Sequence, residues 1–254
     1  MLPLALALTQ ALALAGAPCA LPERRPEAAP FASGELLTYD LELVLVKAGK
    51  LSLRVDRPMT GAILPLKARA QTTAAVANLR RMTAVALSWI GASTLMPERY
   101  HEEGDEDGVR RSTDVRLAAV GATVTLDQRW RDRRGPKTFE RKGEVLDALS
   151  ALYYLRAARL APGERFCFDM IGAGRYWRVA GAQAAGHETI ETPAGRFETF
   201  RVDAEAVRAD LAPGAKGRTR QLHVWLTTDA RRLPVSIVGE VDVGPVSATL
   251  SAFR

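Results

Sequence analysis

Cysteine and histidine are almost missing from this chain of 254 residues, which has two of the former and three of the latter. Cys19 lies at the end of a leader-like segment, so Cys167 is expected to be the only cysteine of the body. A lone thiol cannot close an internal disulfide, and a chain of this length can bury enough core without one. His101, His187 and His223 are far apart and form no His-Glu-x-x-His pair, so no metal site is expected. Asp105-x-Asp107-Gly108 lacks the bidentate glutamate of a calcium loop and reads as a hairpin tip. Gly-x-Ser-x-Gly is absent. Cys167 has Arg165 and Asp169 on its strand face but no nearby histidine, so it reads as a structural thiol rather than a nucleophile. No catalytic residue and no cofactor are expected, and the chain reads as non-enzymatic.

Charge is biased but modestly: 35 Lys and Arg against 29 Asp and Glu give a net +6. The arginines are scattered along alternating strand positions, and no basic motif interleaved with aromatics is present, which argues against a nucleic-acid partner. The densest basic run is Arg129, Arg131, Arg133, Arg134, Lys137, Arg141 and Lys142. It is expected to be a solvated loop, with peripheral contact to anionic lipid as the alternative.

There is one long uncharged apolar run, residues 2–16, too short for a spanning helix, which needs about 20 residues. Small residues Ala13, Ala15, Ala17 and Ala20 follow or end it, as in a secretory leader, although no Lys or Arg precedes it. Residues 1–21 are therefore expected to be a signal peptide and the product to be exported. The expected destination is the periplasm, with association with the outer membrane left open. Cys19 leaves a lipoprotein reading open, against which stands Pro18 where a small flexible residue is wanted. Residues 22–33, with Pro22, Pro26 and Pro30, read as an extended linker to a single β-rich domain over 34–254.

What fills that domain is alternation. Leu37, Tyr39, Leu41, Leu43 and Leu45 alternate with mostly polar partners, and Leu222, Val224 and Leu226 alternate with His223, Trp225 and Thr227. Turns are expected at Lys47–Lys50 around Gly49, at 102–108, at Pro193–Gly195 and at Thr228-Asp229-Ala230. About a dozen strands result, including one over 67–77, against a single helix expected over 145–160 and stopped by Pro162-Gly163. The polar residues Asp147, Ser150, Arg156 and Arg159 share no helical face, so the helix should be covered all round. The fold class is thus mainly β: an antiparallel curved sheet or barrel-like roll with one helix packed against or inside it. Leu149, Leu152, Tyr153 and Tyr154 of the helix, with Trp225, are the candidate lining of a cavity between the two.

Several segments together resemble a known family. They are Gly34-Glu35-Leu36-Leu37-Thr38-Tyr39, Ala48-Gly49-Lys50-Leu51, the stretch from Asp147-Ala148-Leu149-Ser150 to Leu155-Arg156, Glu191-Thr192-Pro193-Ala194-Gly195, and the stretch from Trp225-Leu226-Thr227-Thr228-Asp229 to Leu233-Pro234-Val235. In this order the chain, over about 34–250, is similar to the bacterial exported family called domain of unknown function 3108. That resemblance implies export and a β-rich fold, and it supplies no catalytic residues. The Trp-to-Pro hairpin also resembles curved half-barrels that carry lipids and lipoproteins in the periplasm, a fold-level analogy only. The expected function is binding of an apolar or lipidic ligand. The alternatives are a scaffold that meets an envelope protein and has no pocket, and an unrecognised hydrolase.

Overall fold

Strict inward–outward alternation builds one very large sheet. The computed structural model describes residues 20–25, 29–44, 46–77, 81–117, 123–130, 133–140, 144–211, 217–241 and 244–254. Residues 1–19 of the expected leader, Cys19 among them, and Arg131, Arg141 and Lys142 lie outside the described residues. Seven strands and a short helix come first: β1 (Leu36–Leu43), β2 (Val46–Val55), β3 (Ile63–Thr72), α1 (Ala74–Ala77), β4 (Met82–Gly91), β5 (Pro97–Glu106), β6 (Val109–Arg116) and β7 (Thr123–Trp130). Next come β8 (Arg133–Glu140), β9 (Val145–Asp147), α2 (Ala148–Ala157), β10 (Arg165–Gly172), β11 (Arg175–Gln183) and β12 (Glu188–Thr192). The chain closes with β13 (Gly195–Arg208), β14 (Arg220–Thr227), β15 (Pro234–Val241) and β16 (Gly244–Phe253).

The strand order is β8-β7-β6-β5-β4-β3-β2-β1-β16-β15-β14-β13-β11-β10-β9, and β12 shares an edge of the long β13 with β11. Every pairing is antiparallel except β9–β10, whose strands are joined through α2. The sheet is curved and does not close through a backbone ladder. Its β9–β11 end lies instead against the inner face of β5–β7, where Val145, Ile171 and Tyr176 pack with Tyr100, Val115, Val124 and Leu126 in a second core. Side chains make that seam. Glu102 accepts from the Ala173 amide at 3.0 Å and from the Gly174 amide, Gln128 donates to the Gly174 carbonyl, and Phe139 stacks on Tyr176 at 5.2 Å. Tyr100 donates to the same Glu102 at 2.8 Å. The main core lies on the concave face between the sheet and α2.

Mainly β architecture with one substantial helix is what the sequence pattern predicts, but the boundaries differ. The described residues form sixteen strands, against the expected dozen or so. The acidic stretch 102–106 is the end of β5, and Asp107-Gly108 alone is the turn, both residues at positive φ (51° and 82°) as a two-residue hairpin requires. The basic loop is β8, an edge strand whose charges and Pro136 suit an unpaired edge. The helix starts three residues later than expected because 145–147 pair with β10, and the strand expected over 67–77 stops at Thr72 before α1.

Gly49 is not a turn residue. It lies inside β2, buried, and a Cβ there would run into the Gln71 carbonyl of β3. Gly49→Ala should therefore lower stability by about 2 kcal/mol, read as a lower urea midpoint, whereas a merely flexible glycine would tolerate alanine.

One further expectation is corrected: Cys167 is not a lone structural thiol, for it is disulfide-bonded. The described residues 20–25 and 29–33 make contacts with the domain. The Cys167 amide donates to the Ala20 carbonyl at 2.9 Å, Arg159 to Glu23 at 2.6 Å and Arg25 to the Ala157 carbonyl at 2.9 Å, and Phe31 is buried against Tyr153. Apolar side chains at Leu21, Pro22 and Phe31 give this segment something to bury, which a proline-and-charge reading overlooks.

Candidate functional site

Helix α2 is fixed at both ends by buried polar groups, and these decide where space remains. At its start Asp147 is the N-cap. Its Oδ1 accepts from the Leu149 and Ser150 amides at 2.9 Å each, and the Ser150 hydroxyl returns a contact to the Asp147 amide at 2.8 Å. Its Oδ2 accepts from Ser88 of β4 at 2.6 Å, tying the helix to the wall. The carboxyl is fully buried, and loss of water raises its pKa to about 6 against the lowering effect of these hydrogen bonds.

At the other end Arg156, with no exposed surface, meets Glu35 in a two-pronged pair of 2.6 and 2.7 Å. It also donates to the carbonyls of Arg232 at 3.1 Å, Arg231 at 3.2 Å and Pro30 at 3.3 Å, and lies over the rings of Phe31 and Tyr153. Tyr39 donates to the Pro234 carbonyl at 2.8 Å beside it. The turn that offers these carbonyls is shaped by Asp229, which accepts from the Thr227 hydroxyl at 2.7 Å and the Arg231 amide at 3.1 Å. Burial raises the pKa of both Tyr39 and Tyr153, with a further contribution at Tyr153 from Glu35. Glu35, the helix and the Trp-to-Pro turn, separated along the chain, thus converge on one guanidinium.

The five predicted lining residues do not surround one cavity. Leu149, Tyr153 and Tyr154 are buried in packed core, with the Tyr154 hydroxyl donating to the Pro22 carbonyl at 3.1 Å. Leu152 is half-buried against the same core. Trp225 has the parity of Arg201 and His223, opposite Val224 and Leu226. Its indole N–H donates to Glu188 at 2.7 Å and Arg201 lies over its ring.

Leu41, Leu51, Ala68 and Ala86 on β1–β4 and Val224 and Ile237 on β14–β15 share the inward parity of the core and are half-buried against it. Of these strands, β3 and β4 carry alanine at 68, 70, 84 and 86 on the inward face, where leucine, isoleucine and serine occupy the other half. Ala84 also lines a cleft of about 1020 Å³ with Arg81, Arg110, Arg111, Arg129, Glu103, Asp105 and Asp107. Small inward residues were the signal in the sequence, and the size of side chains, rather than their polarity, carried it.

Asp147 has a perturbed carboxyl and a serine beside it, yet both are fully buried, so no substrate reaches them. His101 and His223 each face an aspartate at 2.9 and 2.6 Å, and His187 is exposed near Glu198. Among the described residues no group of three or more His, Cys, Asp or Glu could hold a metal ion, and no helix is long and apolar enough to cross a membrane. In the basic run, Arg129 and Lys137 are exposed on β7 and β8.

A family model described as "Protein of unknown function (DUF3108)" matches residues 38–251. No curated protein matches the chain. Among solved structures, a β-barrel-like protein of the domain of unknown function DUF1849 from Brucella abortus is similar over 87% of this chain and 97% of that one, at 8% identity and a TM-score of 0.57. A Bacteroides fragilis protein described as having a YmcC-like fold is similar over 93% of this chain and 100% of its own, at 12% identity and a TM-score of 0.36. The first shows a shared barrel-like fold and nothing about activity.

Proposed function

The chain belongs to the DUF3108 family of proteins of unknown function, and from that premise we propose that it is an exported, non-enzymatic binding protein of the periplasm that holds an apolar or lipidic ligand on the concave face of its sheet. The observation that carries the reading is the set of half-buried inward apolar residues Leu41, Leu51, Ala68, Ala86, Val224 and Ile237, which we take as the floor of a trough, together with the charged cleft at Ala84. Such a surface suits an acyl chain on the floor and a polar head at the arginines. Export is supported by the apolar run at 2–16 and by a disulfide, a bond that persists in oxidising compartments.

The test is native mass spectrometry of the protein purified from the cell envelope, paired with Ala68→Phe, which fills the trough floor. A lipid adduct retained by the wild type and lost from Ala68→Phe, with both proteins folded, is the expected result. Adduct that survives the substitution would move the ligand away from the trough, and a bare wild-type chain would remove the reading.

A second reading has its own observation. Val44, Val46 and Val241 are 53%, 60% and 39% exposed at neighbouring turns on the rim away from α2. A scaffold that buries this rim against an envelope protein fits it. Crosslinking in the envelope through the rim, with no lipid adduct, would favour that reading over the first.

A further inference from the structure

We infer that the cleft of about 1020 Å³ at the ends of β4–β7 is a binding site for a phosphate group carried on a polar molecule, with Arg81 and Arg129 as the cations that meet it. Cross-strand register gathers the cleft from four neighbouring strands. Asp105 of β5 lies opposite Thr83 of β4 on one side and Arg110 of β6 on the other. Two residues along β5, Glu103 lies opposite Ser112, and Ser112 lies opposite Arg129 of β7. Arg81, Arg111 and Asp107 complete the charged lining.

Most of these charges are already engaged inside the protein. Asp105 accepts from the Gly108 amide at 2.8 Å and from Arg110 at 3.3 Å, and so builds the hairpin tip. Asp107 accepts from the Arg81 amide at 2.8 Å, which ties that tip to the start of β4. Glu103 faces His101 at 3.9 Å. Arg111 pairs with Glu106 at 3.2 Å. The guanidinium groups of Arg81 and Arg129 are exposed and have no ion-pair partner among the described residues. Two uncompensated cations lining one cleft repel, and an anion between them relieves that repulsion.

The side chains point to phosphate. Every cation of the lining is arginine, whose planar fork donates paired hydrogen bonds to phosphate or carboxylate oxygens. A phosphate monoester offers three acceptor oxygens and close to two charges, enough for both forks, where a carboxylate offers two oxygens and one charge. The hydroxyls of Thr83 and Ser112 add donors. The cleft is far larger than a bare phosphate, and its only apolar side chains are those of Ala77, Ala84 and Val85. The remainder of the ligand is therefore polar, such as a sugar or glycerol. The cleft carries this inference by itself, without a chain on the apolar floor.

The experiment is titration of the purified full chain with glycerol phosphate, followed by amide NMR shifts and calorimetry. Saturable shifts at Gly104, Gly108 and Ser112 are expected, with none from glycerol and a much weaker response to acetate. Affinity should fall about tenfold in Arg81→Gln and in Arg129→Gln, and stay unchanged in Arg116→Gln, an exposed arginine of β6 outside the cleft. Ala68→Phe should bind glycerol phosphate as the wild type does, so loss of a lipid adduct and loss of phosphate binding are separate results. Vesicles of phosphatidylcholine with and without phosphatidic acid separate the sources. Sedimentation with phosphatidic acid that Arg129→Gln abolishes assigns the phosphate to a lipid head, and binding of glycerol phosphate alone assigns it to a soluble ester. No response to either probe, a response to acetate as strong as to the ester, or equal weakening by Arg116→Gln and Arg129→Gln would each overturn the inference.

Discussion

Replacing Arg156 with methionine should lower the free energy of unfolding by about 4 kcal/mol. The side chain is fully buried, its partner Glu35 is 13% exposed, and three backbone carbonyls share the same guanidinium. Methionine fills much of the volume but leaves Glu35 charged and unpaired and those carbonyls without a donor. Urea unfolding followed by tryptophan fluorescence reads the effect as a lower midpoint at unchanged slope. A loss under about 1 kcal/mol would mean that water reaches the node and replaces the arginine. Adding Glu35→Leu to the variant should recover part of the loss, because the uncompensated charge goes while the orphaned carbonyls stay. The difference between single and double variants then reports the coupling of the pair.

The second large effect is at Asp147, where two substitutions separate two roles. Asp147→Ala removes the cap of α2 and leaves the Leu149 and Ser150 amides and the Ser88 hydroxyl without their acceptor in a fully buried place. A cap is worth about 1 kcal/mol and each orphaned buried group about 1–3 kcal/mol, so a total loss of about 3 kcal/mol is expected. Asp147→Asn keeps an oxygen acceptor for the amides and removes the charge. The folded-state pKa of Asp147, raised by burial to about 6, lies above its ordinary value of 3.8. Between those values the folded protein binds more protons than the unfolded chain. Stability from this group is therefore fully present below pH about 4 and is lost as pH rises through about 6, a change of about 3 kcal/mol. The Asp147→Asn variant should lack this decline and be at least as stable as the wild type at neutral pH. Chemical unfolding at pH 4.5 and pH 7 checks this. Equal pH dependence in both proteins would show that Asp147 stays ionised throughout.

These two residues also show how much could be read from the chain. Asp147, Ser150 and Arg156 were visible as polar residues without a common face, and that correctly implied a helix covered on all sides. The pattern could not show their partners, because Ser88, Glu35 and the carbonyls of Arg231 and Arg232 are brought in by strands distant in sequence. The node brings together three of the five segments that carry the family resemblance. Gly34–Tyr39 supplies Glu35 and Tyr39, the helix supplies Arg156, and the Trp-to-Pro turn supplies the acceptors. Trp225, the most conspicuous residue of that turn segment, packs partly against the main core while its N–H meets Glu188 and Arg201 lies over its ring, partners that the local pattern could not show.

The amino-acid sequence by itself determined the β class, the single substantial helix and the Asp229 turn, since each rests on local periodicity, capping or turn chemistry within a few residues. It missed β5 and β8, because charged strands at the rim and edge of a sheet carry little apolar alternation, and it missed β9 because three residues are too few to show a period. Only the tertiary structure decided that the sheet overlaps itself through Glu102 and Gln128, that Leu149, Tyr153 and Tyr154 of α2 are buried in core, and that half-buried alanines line the inward face of β3 and β4. Those outcomes depend on which strands curl into contact and on the volumes that meet across the roll. Both are sums over residues far apart in the chain, and no window along it contains them.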